Sequence, residues 1–182
     1  IAIDSTSQPS SIHALPAGAR TGTCLHEIFE TIDYPQAATA HDEARKSIAD
    51  ILAKHSLDDH LDTVWPNVQQ ILNAPLDESI PGFTLGKLQQ PDRLMELEFT
   101  FNMAGVAALR LAEIFRAHGG PALDPNFPSR LGRLQFQPRD GFMRGFVDLL
   151  FRHEDRYYIL DWKSNRLGPN DNAYTPQRLQ GV

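Results

Sequence analysis

The chain has 182 residues, of which 41% are hydrophobic and 22% are charged, and its formal net charge is −6. This length allows one domain with a hydrophobic core, and the acidic balance argues against a protein that binds nucleic acid through its overall charge. The single cysteine, Cys24, cannot form an internal disulfide, so a reducing compartment, the cytoplasm, is expected. Residues 1–18 lack the pattern of a signal peptide, and no apolar run is long enough to span a membrane.

The first half of the chain is predicted to be mainly helical. Residues 1–20 are rich in Ser, Pro and Ala and are predicted to be a linker or loop. Apolar residues at helical spacing predict helices over Thr21–Ile32, over residues 41–55 and from Leu61 to Leu72, where Pro66 is expected to kink or restart the last of them.

The second half predicts a sheet. Residues Met95–Phe101 alternate between apolar and polar side chains, which is typical of a half-buried strand. Asn102 is predicted to cap a helix that ends at Gly119-Gly120, and residues 121–130 are predicted to be a loop. A short strand over Arg133–Gln137, a hairpin and the start of a final helix over Tyr174–Leu179 are expected to follow, giving an α/β or α+β architecture.

The hairpin from Gly141 to Asn165 carries carboxylates where apolar residues are expected. Its turn is centred between Glu154 and Asp155, so paired residues have numbers that add to 309 and Asp148 is predicted to lie opposite Asp161. Opposed side chains on one sheet face lie about 4.5–5.5 Å apart at Cβ, and two like charges at that distance favour a proton or a cation between them. Lys163 follows Asp161 by two residues and is expected on the same face.

Each of these signals also has an ordinary structural interpretation. An Asp-x-Lys tripeptide is common on solvated strand faces. His26, beside the apolar stripe of its helix, is as a lone residue more often a satisfied, partly buried histidine than a ligand. Glu98, on the polar face of its strand, holds either a metal or a water, or is simply solvated.

Four segments together resemble the nuclease domains of RecB-type helicase-nuclease subunits, in the PD-(D/E)xK superfamily. They are Gly22–Glu30 with His26, the Met-Glu-x-Glu-Phe-type strand with Glu98, Gly145–Glu154 with Asp148, and Tyr157–Asn165 with Asp161 and Lys163. The resemblance implies a restriction-endonuclease-like core, a mixed central sheet flanked by helices with an N-terminal helical part. It divides the chain into the linker 1–20 and a nuclease domain 21–182, mainly helical over 21–118, with the catalytic hairpin and the start of the final helix in 119–182.

The resemblance also implies Mg²⁺-dependent hydrolysis of DNA phosphodiester bonds in double-strand-break repair by homologous recombination. Asp148, Asp161 and Lys163 are then the catalytic residues, and His26, Asp148, Asp161 and the Trp162 carbonyl are the metal ligands, with Glu98 as a second-metal or water ligand. Mn²⁺ is expected to substitute for Mg²⁺, because one ligand is an imidazole. The implied partners are DNA, RecC-like and RecD-like subunits, and RecA.

One part of the family pattern is absent. The chain begins at Ile1 and ends at Val182, before the Gln-x-x-x-Tyr motif that such nucleases carry after Asp-x-Lys, so a piece of a longer protein, truncated at its C-terminus, is expected. The alternative to a nuclease is a nuclease-fold module that binds protein or DNA without cutting. The complete set His26, Asp148, Asp161 and Lys163 favours the enzyme.

Overall fold

The computed structural model describes residues 12–76, 80–120, 123–136, 139–168 and 171–175, and its fold is mixed α/β. Short 3-10 turns separate some of the elements. The helices are α1 Ala19–Thr31, α2 Tyr34–Ala38, α3 Asp42–Lys54, α4 Leu61–Asn73, α5 Ala108–His118 and α6 Phe127–Gly132. The strands are β1 Arg93–Val106, β2 Arg139–His153 and β3 Arg156–Leu160, in the sheet order β1-β2-β3. The predicted fold class is confirmed.

Strands β2 and β3 form the predicted hairpin in the predicted register. Their pairs run from His153 with Arg156 to Leu149 with Leu160, and the residue numbers of every pair add to 309. The two turn residues, Glu154 and Asp155, have φ angles of 47° and 60°, which is the backbone of a type I′ turn. This turn matches the twist of the flanking strands and thereby fixes which side chains of β2 face those of β3.

Two compact units make up the chain, and the division falls within β1 and β2. The first comprises residues 1–97 and 147–182, and the second comprises residues 98–146. In the first unit, α1, α3 and α4 bury the apolar stripes that the sequence predicts, with Ile28, Ile48, Leu52, Val64 and Val68 at most 2% exposed. Pro66 lies inside α4, which is one continuous helical segment.

Aromatic stacking joins the hairpin to the core of this first unit. The ring of Phe151 on β2 stacks on Phe83 at 5.5 Å and on Tyr158 of β3 at 5.1 Å, measured between ring centroids. Phe151 is 1% exposed. Burial of such a side chain contributes roughly 1.5–3 kcal/mol relative to leaving it in water, so this stack is a principal support of the hairpin.

Helix α2 shows how a short element depends on tertiary contacts. Asp33 caps it by accepting a hydrogen bond from the Gln36 amide at 2.9 Å. Tyr34 is fully buried, and the guanidinium of the buried Arg93 lies 3.9 Å from the centroid of its ring. Arg93 also donates to the Ile32 carbonyl at 2.7 Å, so one cation ties the start of β1 to the segment between α1 and α2.

The second unit has a much smaller core. Among its described residues only Ala108, Ala112 and Pro128 are buried. Helices α5 and α6 contact each other through Phe115 and Phe127, whose rings meet edge to face at 5.2 Å.

Three sequence predictions are wrong in this second unit. Asn102 caps no helix, because β1 continues to Val106 and α5 begins at Ala108. The segment predicted as a loop, 121–130, includes the first four residues of α6, which has a proline in its first turn, a position where the missing amide hydrogen is of no consequence. Residues 133–136 are not a strand, and Gln137 lies outside the described residues.

The predicted ends of the chain are only partly described. Residues 1–11 of the predicted linker lie outside the described residues, whereas Ile12–Ala14 form a 3-10 turn and Leu15 is 5% exposed. Of the predicted final helix, Tyr174 and Thr175 are described and are not helical, and the remainder lies outside the described residues. Among the described helices, none has both the length and the apolar character needed to cross a membrane.

Candidate metal centre

Three side chains of the first unit converge on one point. His26, Glu96 and Asp148 each offer one ligand atom, and these atoms all lie within 4.8 Å of one another. The Nδ1 atom of His26 is 3.7 Å from Oδ2 of Asp148. Two carboxylates and one imidazole, all partly buried, form a donor set that suits a divalent cation.

His26 is presented by α1, which is held in place on two sides. Cys24, Ile28 and Phe29 bury the core side of the helix. Glu27, the residue after His26, accepts hydrogen bonds from Lys54, the last residue of α3, and from His55, which follows it, each at 2.7 Å. The helix is therefore anchored directly beside the candidate ligand.

Asp148 is fixed by a backbone hydrogen bond across the hairpin. Its Oδ2 atom accepts from the Trp162 amide at 2.7 Å, and its side chain is 14% exposed. The Trp162 ring stacks on Phe29 of α1 at 4.2 Å, and its indole Nε1 is buried without a hydrogen-bond partner among the described residues. Trp162 thus connects the two elements that carry His26 and Asp148.

Glu96 reaches the cluster from β1 with an unusual backbone. Its φ angle is 49°, in the left-handed region, although it lies inside a strand. Such a conformation costs about 1–3 kcal/mol in a residue other than glycine and is found preferentially at functional sites. Burial raises the pKa of the Glu96 carboxyl, and the charges of Asp148 and Glu30 raise it further, whereas His26 lowers it. A cation at the cluster would remove this repulsion.

Asp161 and Lys163 lie next to the cluster along the chain and bind each other. Asp161 follows the last residue of β3, and its carboxylate pairs with the Lys163 ammonium. The pKa of Lys163 is raised, mainly by this hydrogen bond and also by the charge of Asp148. The structure therefore groups His26 and Asp148 with Glu96, and the role of Asp161 and of the Trp162 carbonyl as metal ligands stays a prediction.

Glu98 has a partner of its own. Arg144 binds its carboxylate with two nitrogens, at 2.7 Å and 3.0 Å, and both residues belong to the second unit. Its role as a second-metal or water ligand stays a prediction.

Sequence reasoning passed over Glu96, although both glutamates of the Met-Glu-Leu-Glu-Phe strand are visible. Simple alternation places Glu96 and Glu98 on the same polar face and gives no reason to prefer the first. The left-handed φ at Glu96 breaks that alternation, and a non-glycine residue gives no sign of it in the sequence.

Comparison with known proteins identifies the class that this fold and cluster define. The family model of the PD-(D/E)XK nuclease superfamily matches residues 6–180. The chain therefore belongs to the PD-(D/E)XK nuclease superfamily.

Within this class, the resemblance to RecB-type domains is confirmed. The chain is 34% identical to the RecBCD enzyme subunit RecB of Escherichia coli (strain K12) over 168 residues, which cover 92% of this chain and 13% of that protein. It is 32% identical to the RecB of Haemophilus influenzae over 94% of this chain and 13% of that protein. It is 33% identical to the RecB of Mycolicibacterium smegmatis over 92% of this chain and 16% of that protein. The chain thus spans less than one fifth of the length of these relatives.

Proposed function

We propose that this chain is a divalent-metal-dependent DNA nuclease domain, acting as an exodeoxyribonuclease in double-strand-break repair by homologous recombination. One observation carries the proposal. In a member of a nuclease superfamily, His26, Glu96 and Asp148 offer ligand atoms within 4.8 Å of one another, and Lys163 pairs with Asp161 in the segment that follows β3. This is the combination of anionic ligands and a nearby cation that phosphodiester hydrolysis requires.

The donor set fits the ion. Mg²⁺ prefers carboxylate oxygens and water, and the imidazole of His26 makes Mn²⁺ a good substitute. His26, Glu96 and Asp148 would hold the ion, with Asp161 and the Trp162 carbonyl as the further ligands that the family resemblance implies. A bound divalent ion supplies a water of lowered pKa and stabilises negative charge on the phosphate.

Lys163 has a different task from the ligands. Its side chain is 67% exposed and its ammonium is held by Asp161, so the cation is paired with one carboxylate yet open to a phosphate. A preorganised positive charge of this kind stabilises the charge that develops on the phosphate oxygens in the transition state. A lysine is protonated at neutral pH, as this role requires, and the hydrogen bond from Lys163 to Asp161 raises its pKa further.

The experiment compares Lys163→Ala with Lys46→Ala in the full chain. Removing one preorganised charge typically costs about 10²–10³ in rate, so Lys163→Ala is expected to reduce Mn²⁺-dependent DNA cleavage by that factor. Its affinity for Mn²⁺, measured by calorimetry, is expected to be unchanged or slightly tighter, because like charges repel. Lys46 forms the same kind of pair, with Asp50 at 3.1 Å, on the exposed face of α3, and its variant serves as the matched control.

Near-normal cleavage by Lys163→Ala would show that Lys163 is not catalytic. Cleavage lost equally in both variants would show a general charge effect. The alternative function, a module that binds protein or DNA without cutting, predicts no Mn²⁺ binding by calorimetry and no cleavage by the unmodified chain.

The partners follow from the relatives. Because the similar proteins are RecB subunits of the RecBCD enzyme, we expect RecC-like and RecD-like subunits, and RecA, as partners of the protein to which this domain belongs. The single cysteine and a DNA substrate together favour the cytoplasm.

A further inference from the structure

A cavity of about 870 Å³ opens beside the candidate metal centre, within the first unit. It lies between the turn at residues 12–18, helices α1 and α4, and the segment Trp162–Arg166. Small-molecule sites in proteins are typically about 300–1,000 Å³ in volume, and their walls are mostly apolar with a few polar groups. The cavity is therefore large enough for an organic ligand.

The charged side chains in the described lining of this cavity are cations. Its described lining includes the cations Lys163 and Arg166 and no aspartate or glutamate. The whole chain, in contrast, has 23 acidic residues and a net charge of −6. A cavity with this lining favours a ligand that carries negative charge.

The floor of the cavity is apolar and aromatic. Leu25 and Ile71 contribute aliphatic surface, and the half-buried Trp162, whose ring stacks on the buried Phe29, contributes aromatic surface. Tyr174 also lines the cavity, with its ring 5.1 Å from that of His13. Flat apolar surface of this kind binds nucleobases by stacking, at about 1–3 kcal/mol per base, without preference for one base.

The cavity and the candidate metal centre share side chains. His26 belongs to the ligand cluster and Lys163 is the proposed phosphate-binding cation, and both line the cavity. A phosphate bound at Lys163 therefore has an apolar, aromatic space within reach of the nucleoside attached to it.

We propose that this cavity holds one nucleotide of the DNA strand at the site of cleavage, with its base on the apolar floor and its phosphate toward Lys163 and Arg166. This inference rests on the proposed nuclease function and deepens it by naming a subsite. It makes the cavity a binding site for a nucleoside monophosphate, whichever base that nucleotide carries.

The test is a calorimetric titration of the full chain with thymidine 5′-monophosphate, thymidine and inorganic phosphate, each in EDTA and again in Mn²⁺. The monophosphate is expected to bind in EDTA at least 10-fold more tightly than either part alone, because only the intact nucleotide contacts both the cations and the floor. Ile71→Trp, at a residue that is 39% exposed, places an indole in the cavity and is expected to weaken this binding at least 10-fold. Gln70→Trp, at the preceding position of α4 and outside the lining, is the matched control and is expected to bind the monophosphate as tightly as the unmodified chain does.

The outcomes separate this subsite from the metal centre. Binding that appears only with Mn²⁺, or that Ile71→Trp leaves unchanged, would overturn the subsite while leaving the metal centre standing. Mn²⁺ binding is measured in the same titrations, so loss of the metal centre would be recognised by itself. If Ile71→Trp does not fold, Ile71→Phe tests the same step, and unchanged affinity in that folded variant would equally refute the inference.

Discussion

Replacing Glu96 by glutamine is expected to stabilise the metal-free protein and to remove much of the stabilisation that Mn²⁺ gives. Without metal, the charged carboxyl of Glu96 faces that of Asp148, and its pKa is raised, so the charged form is unfavourable in the folded state. Glutamine keeps the shape and the strained backbone but removes the charge. With Mn²⁺, the same replacement removes an anionic ligand, so the sign of the effect reverses.

The magnitude follows from the distance between the two carboxylates. Their ligand atoms lie within 4.8 Å of each other, and two unit charges at that upper limit repel by roughly 0.9 kcal/mol in water and by roughly 3.5 kcal/mol at an effective dielectric of 20. Because the cluster is only partly buried, we expect the metal-free variant to gain about 1 kcal/mol, or about 2–4 °C in Tm for a chain of this size.

The metal-loaded protein is expected to behave in the opposite way. At a Mn²⁺ concentration 100 times its Kd, the unmodified chain gains about 2.7 kcal/mol. A variant that binds about 100-fold more weakly gains only about 0.4 kcal/mol under the same conditions.

The dependence on pH supplies a second check. A carboxyl whose folded pKa is raised destabilises the fold above that pKa and ceases to do so below its unfolded pKa, which is about 4.3. The advantage of Glu96→Gln without metal is therefore expected at pH 7 and should vanish below about pH 4.

Thermal melts of the unmodified chain, Glu96→Gln and Glu98→Gln, with EDTA and with Mn²⁺ and at pH 7 and pH 4, measure the change in Tm for each of these expectations. Glu98→Gln loses an exposed ion pair with Arg144, which is typically worth about 0–1 kcal/mol, and is expected to keep the full Mn²⁺ response. If Glu98→Gln loses the Mn²⁺ response and Glu96→Gln keeps it, the cluster is wrongly assigned.

Three further predictions concern the fold. Phe151→Ala is expected to lower the free energy of unfolding by about 3–5 kcal/mol in urea titrations, because it opens the stack with Phe83 and Tyr158; a loss below 1 kcal/mol would contradict this support. Asp155→Gly is expected to stabilise by about 0.5–1 kcal/mol in the same titrations, because glycine adopts the φ of 60° without strain, and a destabilised variant would refute the turn assignment. Hydrogen bonds from Lys54 and, to a smaller extent, from His55 lower the pKa of Glu27, so this carboxylate stabilises the fold above its unfolded pKa of about 4.3 and loses that effect as the pH falls through the lowered pKa. Glu27→Gln is therefore expected to be less stable than the unmodified chain at pH 7, with a difference that shrinks in acid. A difference in stability that does not depend on pH would show a packing effect instead.

The hairpin and the long helices could be predicted from the sequence because their signals are local. The apolar stripes of α1, α3 and α4 recur at helical spacing, and the turn at Glu154 and Asp155 sets the register of all five β2–β3 pairs. Strand pairing propagates from a turn, so a correct turn is sufficient to place Asp148 beside the segment that follows β3.

The elements that the sequence did not reveal depend on contacts between distant residues. Helix α2 forms where Tyr34 packs against Arg93, far away in sequence, and α6 forms where Phe127 meets Phe115 of α5. For the same reason, the sequence could not distinguish Glu96 from Glu98. Only Glu96 of the two has a left-handed φ, and nothing in the sequence signals that angle.

The division of the chain has a consequence for how such a domain can change over time. Glu96 stands just before residues 98–146 and Asp148 just after them, while His26 lies far upstream, so all three candidate ligands belong to the first unit. The second unit is therefore the segment of the chain that lies, in sequence, between two of the candidate ligands. Mutations, insertions and deletions within residues 98–146 leave all three candidate ligands in the chain, so this unit can vary in sequence and length while the ligand set is kept.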